Sequence, residues 1–394
     1  MSLALTTRAP TAALRRLVTT KYGHAFSSEA FNSEGMGVPV IRIRDILPGR
    51  VQTWAEERPD TRAWVNDGDV VIGMDGDFNH TLWRGGPAAM NQRVCSLEAG
   101  PRMNTRFLNY VISYPLRVIN ETVHHTTVKH LSFAELLAER VPVPPLAAQQ
   151  QIADYLDAET ARIDALIAKK EQLADLAQLR ADAEAEFLLD RFDDVPLQHL
   201  TDPKRPTVYG IVQAGPNDPD GVPYVKSGDV ADLGRRELSK TATSIHRQYV
   251  RSHVRPGDIV VAMRASIGAL AVVPPSLPEA NLTQGTARIA PDAGVDGRWL
   301  YQSLRLRRVQ DEMDVRAVGS TFRTLNIWDL RRIGVPTPPA DEQEQLAEAV
   351  EAIRRRADAL ARKLVGQVNL LREHRQALIT AAVSGELEVP GVAA

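Results

Sequence analysis

The sequence predicts an α+β protein in which one mixed α/β domain occurs twice. Two long helices separate the copies and pair with each other as a coiled coil, giving the chain a pseudo-twofold plan. Three observations predict this. A proline-rich run occurs twice, 194 residues apart; an unbroken helical pattern follows each copy; and what lies before each copy reads as short strands with Gly, Asp and Pro turns.

The repeat comes first. Val141-Pro142-Val143-Pro144-Pro145 returns as Val335-Pro336-Thr337-Pro338-Pro339, and Gln149 and Gln151 return as Gln343 and Gln345. Leu131 and Leu136 match Leu325 and Leu330 at the same offset of 194. Further upstream the offset shrinks. Gly37-Val38-Pro39 pairs with Gly221-Val222-Pro223 at 184, and Gly68-Asp69-Val70-Val71 with Gly257-Asp258-Ile259-Val260 at 189. Gln92 pairs with Gln284, and Arg106-Phe107-Leu108 with Arg298-Trp299-Leu300, at 192. The second copy therefore carries insertions in its globular part, where loops tolerate them, while the helices keep nearly equal length.

In the second helical stretch apolar or small residues recur at Leu346, Val350, Ile353, Ala357, Leu360, Leu364, Val368, Leu371 and Leu378, near the 3.5-residue spacing of a coiled-coil seam. The first gives Ile152, Leu156, Ile163, Leu166, Leu173 and Leu176. Each pattern runs long enough for a helix of roughly 60 Å at about 1.5 Å per residue. Two such seams in one chain favour pairing with each other over pairing between chains. The prolines suit entry into a helix, where a missing N–H costs nothing, and Gly385 suits its exit. Expected strands are Val38–Ile43, Asp69–Met74 and Gln92–Leu97, then Val222–Lys226, Asp258–Met263 and Leu270–Val273; helices are expected near Arg106–Tyr114 and Gly297–Glu312. The expected organisation is a first domain over 1–146, a helix over 147–190, a second domain over 191–340 and a second helix over 341–388.

Composition narrows the function. A single cysteine, Cys95, excludes a disulfide framework and fits a reducing cytoplasm. No apolar run is long enough to cross a membrane. The first 28 residues hold no Asp or Glu and carry Arg8, Arg15, Arg16 and Lys21; this is read as a short leader into the first strand, although a transit peptide has similar composition. The net charge of −2 hides an uneven split. Residues 147–194 hold 12 acidic and 5 basic side chains and residues 341–387 hold 8 and 7, so the globular parts together are net +6. That balance is compatible with contact to phosphates.

Taken together, V-P-V-P-P-L-A-A-Q-Q-Q-I at Val141–Ile152, V-P-T-P-P-A-D-E-Q-E-Q-L at Val335–Leu346 and the tail L-I-T-A-A-V-S-G-E-L at Leu378–Leu387 resemble the specificity subunit of type I restriction-modification enzymes. The first run departs in having Ala148 where the second has Glu342. The resemblance implies two target recognition domains, each reading one half of a split site on double-stranded DNA. It implies paired helices that space those domains and dock two methyltransferase subunits, with a motor-nuclease subunit able to join. It implies no cofactor on this chain, the methyl donor and ATP belonging to the partners.

The absent motifs agree with a non-catalytic role. The Pro-Pro pairs are followed by Leu146, Ser276 and Ala340, so none fits the Asn/Asp-Pro-Pro-aromatic motif of adenine methyltransferases. There is no G-x-x-x-x-G-K-[ST] loop. His124, His125 and His130 cluster but lack a further evident ligand, so no metal is expected from them. A nuclease with scattered carboxylates and a protein-binding coiled-coil scaffold remain the competing classes. Candidate DNA-contacting residues are those able to offer bidentate donors to base edges or charge to phosphates. In the first half they are Arg42, then Asn79, Trp83 and Arg84 in the polar stretch Asp77–Arg84 that also holds His80, then Asn91, and finally Lys129 and His130 after Thr126. In the second half they are Lys226, Arg264, Ser266, Thr283 and Arg323, with Asn281, Gln284 and Ser320-Thr321-Phe322 beside them. Arg264, Arg323, Arg84 and Lys129 rank highest. Gln92 and Gln284 are read as structural, since an identity shared by two copies cannot distinguish two targets.

Overall fold

Both proline runs deliver the chain into helices, Leu146–Leu189 and Ala340–Ser384. The second ends before Gly385, whose positive φ of 76° suits a residue without a Cβ. The computed structural model describes residues 9–122, 129–319 and 323–392. Its contacts divide the chain into two units, Met1–Lys169 with Gly366–Ala394, and Lys170–Val365, so each unit holds a part of both long helices.

In unit 1 the strand Val70–Gly73 lies between Val94–Ala99 and His80–Leu82, all antiparallel, and Val18–Tyr22 closes the four-stranded sheet. Successive side chains of a strand face opposite ways, and here both faces are covered. Val70 and Ile72 join the main core with Phe107, Leu108, Ile152 and Leu156, while Val71 faces a second core with Ile41, Trp83 and Met90. A five-stranded sheet runs Phe31–Asn32, Trp54–Ala55, Val38–Ile41, Ala88–Met90, Trp64–Val65, and its central pair, Val38–Ile41 with Ala88–Met90, is parallel. Thr11–Ala13 pairs with Arg140–Pro142 beside the helix entrance.

Unit 2 repeats this frame. Ile259–Ala262 lies between Leu270–Val272 and Thr286–Ile289, again antiparallel, with Ile259 and Val261 in one core and Val260 and Ala262 in another. Val222–Val225 runs parallel to Asn281–Leu282, and Asp194–Pro196 pairs with Gly334–Pro336. The strands Ala88–Met90, Asn281–Leu282 and Thr286–Ile289 are two to four residues long and carry little periodicity of their own, so the sequence reading lacked them.

The helix parts pair antiparallel inside each unit. In unit 1 Ile152, Ala153 and Leu156 share the core with Ile379, Ala382 and Val383, and Arg375 meets Asp164 at 2.9 Å. In unit 2 Ala185 and Leu189 pack with Leu346, Ala347 and Val350, Arg354 meets Asp182 at 2.9 Å, and Gln178 donates to Asp358 at 3.0 Å. The predicted seam is only partly buried: Leu166, Leu173, Leu176 and Leu360 stand out to solvent.

The repeated glutamines are fasteners. Buried Gln149 accepts from the Asn104 N–H at 2.7 Å and donates to the Arg102 and Pro144 carbonyls at 3.0 and 2.8 Å. Gln343 accepts from the Asp296 N–H at 2.8 Å and donates to the Pro338 carbonyl at 3.2 Å. Asn104 and Asp296 in turn cap the helices Thr105–Val111 and Gly297–Leu304. An amide fits because it offers an acceptor and two donors at once. No described helix is long and apolar enough to cross a membrane.

Candidate nucleic-acid interface

Each unit brings its polar residues together where the parallel strands end. In unit 1 Ile41 pairs with Met90, so the next residues, Arg42 and Asn91, leave the sheet side by side, and the Asn91 N–H donates to the Ile41 carbonyl at 3.0 Å. The Arg42 N–H is held by Asp45 at 2.9 Å, and its guanidinium lies 5.4 Å from the centre of the Phe31 ring. Burial raises the Asp45 carboxyl above its ordinary range, although the Arg42 N–H bond pulls it down. A second strand end joins this one. The Met74 N–H donates to the Arg93 carbonyl at 2.9 Å, the Leu131 N–H donates to the Met74 carbonyl at 2.7 Å, and Asp75 and His130 stand opposite each other. Asp75 meets His130 at 2.7 Å and Arg93 at 3.6 Å. Arg42, Asn91, Arg93, Asp75 and His130 thus share one loop surface.

Unit 2 builds the same frame bond for bond. Val225 pairs with Leu282, so Lys226 and Thr283 leave together, and the Thr283 N–H donates to the Val225 carbonyl at 3.1 Å. Asp229 holds the Lys226 N–H at 3.0 Å, as Asp45 holds that of Arg42. Met263 bonds Gly285 at 2.7 Å and is bonded by Leu325 at 2.9 Å, and Arg264 stands opposite Thr324. The positions correspond while the chemistry does not. Arg42 becomes Lys226, Asn91 becomes Thr283, Arg93 becomes Gly285, Asp75 becomes Arg264 and His130 becomes Thr324. The cation has moved from one loop to the neighbouring one. A Cβ at Gly285 would meet the Ser227 hydroxyl at 2.4 Å, so a side chain there would displace that hydroxyl from its 2.6 Å bond to the Gly285 carbonyl.

The sequence candidates sort accordingly. Arg264 is exposed, and its side chain has no hydrogen-bonding or charged partner among the described residues. Ser266 is exposed two residues further along the same hairpin, and half-buried Asn79 occupies the corresponding hairpin of unit 1. Lys226 is exposed, its ammonium bonded to the Ser239 hydroxyl at 2.8 Å and lying over Tyr224. Arg323 is exposed but paired with Asp314 at 2.7 Å. Lys129 caps a helix end instead, donating to the Asn120 carbonyl and amide oxygens at 2.9 and 2.8 Å. Asn281 is fully buried against Ser252.

Trp83 requires a correction. It is fully buried, and its indole N–H donates to the Gly86 carbonyl at 2.7 Å. Strand alternation turns it inward, so it fills the second core and does not reach outward. Arg84 is exposed but lies apart from the loop surface, beside a cavity of about 350 Å³ lined also by Thr81, Arg106, Tyr110 and Asp157. Arg106 bonds Asp154 and Asp157 at 2.5 and 2.6 Å, tying its helix to the long one. Tyr110, bonded to Asp157, has its phenol pushed up to about 12, burial being the main cause. Thr126, His124, His125 and Ser320-Thr321-Phe322 lie outside the described residues. Arg93 and Asp75 escaped the sequence reading. Arg93 directly follows the repeated Gln92, at a position where the two copies differ.

A model of the type I restriction modification DNA specificity domain matches this chain twice, over residues 13–174 and 212–369. The chain belongs to that family. Each matched segment of this specificity chain contains one loop surface and the first part of the long helix that follows it. The type I restriction enzyme EcoBI specificity subunit of Escherichia coli is 31% identical, with 93% of this chain and 83% of that protein covered. The putative type I restriction enzyme MjaX specificity subunit of Methanocaldococcus jannaschii is 23% identical, with 82% and 81% covered. A solved chain described under complex assembly and conformational transition of the type I R-M system has the same fold. It superposes with a TM-score of 0.70 at 17% identity, covering 96% of this specificity chain and all of that one.

Proposed function

We propose that this chain is the DNA-reading subunit of a type I restriction-modification complex and performs no catalysis itself. Each unit reads one half of a bipartite duplex target through its loop surface. The observation that carries this reading is the pair of loop frames matched hydrogen bond for hydrogen bond, with different side chains displayed on each. A frame shared by the two units fixes where donors are presented, and the residues that differ between them decide which base edges they suit. In unit 2 Arg264 offers the bidentate fork that suits a guanine edge. In unit 1 Arg93 and His130, set against Asp75, and Asn91 provide a different set.

The long helices serve two further roles in this proposal. They set the gap between half-targets, and their exposed apolar residues (Leu173, Leu176, Leu179 and Phe187 on the first helix, Leu360, Val365 and Leu370 on the second) dock two methyltransferase subunits, a motor-nuclease subunit joining the same assembly. Phe187 is 83% exposed, which a lone helix pair does not require. The methyl donor and ATP are carried by the partners, and the complex works in the cytoplasm.

The experiment is co-expression with the methyltransferase encoded beside it, followed by sequencing that detects methylated bases. A split motif of fixed spacing that vanishes without this chain is the expected result. A motif that persists without the chain overturns the proposal. Adding one helical turn to both long helices shifts them by about 5.4 Å, so the gap should change while both half-motifs stay the same.

A further inference from the structure

An imidazole can meet a base edge in two opposite senses, as donor or as acceptor, depending on which ring nitrogen carries the proton. The loop surface of unit 1 holds one imidazole, His130, in a setting that selects between them. Its place is fixed by the backbone. Asp75 and His130 face each other in a bridge, and a bond flanks it on either side: the Leu131 N–H donates to the Met74 carbonyl at 2.7 Å, and the Gly76 N–H to the Lys129 carbonyl at 3.1 Å.

The side chains then set the tautomer. His130 Nδ1 lies 2.7 Å from Asp75 Oδ1, the length of a charge-assisted bond. A carboxylate oxygen can only accept, so Nδ1 carries the proton. The other group near that nitrogen, Arg93 Nη1 at 3.5 Å, is itself a donor and cannot take the proton's place as acceptor. Arg93 Nε stands 3.6 Å from the second oxygen, Asp75 Oδ2, so the carboxylate has a counter-ion apart from the imidazole. With that balance met, the neutral ring keeps its one proton on Nδ1 and leaves a lone pair on Nε2. The His130 side chain is 51% exposed, and its Nε2 has no hydrogen-bond partner among the described residues. In unit 2 the same bridge joins Arg264 and Thr324, which have neither an imidazole nor a carboxylate.

We propose that His130 Nε2 accepts a hydrogen bond from the exocyclic amino group of a base in the first half-target, and that Asp75 is the positioning residue that fixes this sense. On the strand that His130 faces, adenine N6 and cytosine N4 offer such a donor in the major groove, whereas guanine O6 and thymine O4 put an acceptor in the same place. The half-target of unit 1 therefore holds adenine or cytosine at this position. This inference rests on the DNA-reading proposal above.

Asp75→Asn should reverse the sense. Arg93 can only donate, so the amide turns its oxygen to Arg93 and its NH2 to His130 Nδ1. That nitrogen then accepts, the ring proton moves to Nε2, and His130 becomes a donor suited to guanine or thymine. The backbone bridge uses neither side chain and stays in place.

The test measures binding of the full chain, in complex with its methyltransferase, to duplexes carrying each of the four base pairs at every position of the first half-motif. His130→Ala should level one position by roughly fivefold, and there the wild type should favour adenine or cytosine. Asp75→Asn should turn the preference at that position to guanine or thymine. Asp75→Ala, which leaves Nδ1 without a fixed partner, should weaken the preference without reversing it. The second half-motif should be unchanged in all three variants. The proposal is overturned, with DNA reading left standing, by any of three results: His130→Ala levels no position, Asp75→Asn keeps the wild-type preference, or the wild type favours guanine or thymine there, as a doubly protonated ring would. A wild-type complex that binds every duplex alike overturns the DNA-reading proposal and this one with it.

Discussion

Units 1 and 2 share a frame and differ in how they hold charge within it. The clearest contrast lies beneath the sheets, at a repeated Gly-Asp. Asp69 accepts from the Asn66 N–H at 3.0 Å and meets Lys21 at 3.2 Å, and Lys21 also reaches Glu98 at 3.3 Å. Asp258 accepts from the Arg255 N–H at 2.8 Å and receives a two-pronged bond from Arg205 at 2.8 and 2.5 Å. Buried Arg288 adds a second cation nearby, bonded to the His253 and Pro206 carbonyls. The aspartate and its bond to the turn are common to both units. The cation is an ammonium shared between two carboxylates in one and a two-pronged guanidinium in the other, and the lesson carries over to the loop surfaces. The repeat preserves backbone bonds and releases side chains to diverge.

This contrast can be broken most strongly at the aspartates. Asp258→Ala leaves Arg205 and Arg288 in a buried site without their anion and should cost about 3–5 kcal/mol. Asp69→Ala should cost about 1–2 kcal/mol, because Lys21 retains Glu98. Denaturant unfolding of the two variants measures the gap, and equal losses would show that the forked bond adds nothing. Arg264→Gln should relax one position of one half-motif by roughly 1–3 kcal/mol of discrimination, leaving the other half-motif unchanged. Methylated-base sequencing reads this directly, and relaxation of both halves would mean that the units do not read independently.

A smaller difference concerns acid. His80 pairs across the sheet with Ile72, where unit 2 pairs Leu270 with Val261. His80 Nε2 lies 3.1 Å from both the Asn109 carbonyl and the Ser113 hydroxyl. Burial, with a further contribution from Arg375, lowers its pKa from 6.5 to about 4. The folded value is depressed, so the unfolded chain takes up a proton that the folded chain refuses between these values. Stability is therefore lost as pH falls from 6.5 towards 4. His80→Leu should flatten this part of the stability–pH curve, whatever it does at pH 7; an unchanged slope would assign the acid loss to other groups. The smallest effect concerns the residue after Asp75 and Arg264. Gly76 and Ala265 both adopt positive φ, 77° and 59°. Gly76→Ala should destabilise, and Ala265→Gly should stabilise, by about 1 kcal/mol each, with opposite shifts in Tm.

Much of this was legible in the sequence because it rests on local patterning. The repeat, both long helices and their proline entrances, and the strands around Val70 and Ile259 follow from spacing and turn chemistry. Arg42, Lys226 and Arg264 could be picked out because they follow repeated segments, and Asn91 and Thr283 because they stand directly before the repeated Gln92 and Gln284. What was missed or misplaced depended on direction and partner. Trp83 looked available because it stands in a polar stretch, yet strand alternation turns it into the core. Lys129 looked like a free cation, yet a helix end uses its charge. Leu173 and Leu176 fit the seam's spacing but face solvent.

By itself, the sequence determined that one domain is present twice, that two long helices follow the copies, and that the second copy has the longer loops. These are properties of periodicity and of residues that fix their own backbone, and neighbours in the chain suffice to specify them. Tertiary structure alone decided that Asp75 faces His130, that Arg264 faces Thr324, and that His246, His253 and Glu279 meet. The residues that meet in this way are between 7 and 60 positions apart in sequence. Strand register and turn geometry bring them together, and no local pattern encodes a register that only the packed sheet enforces.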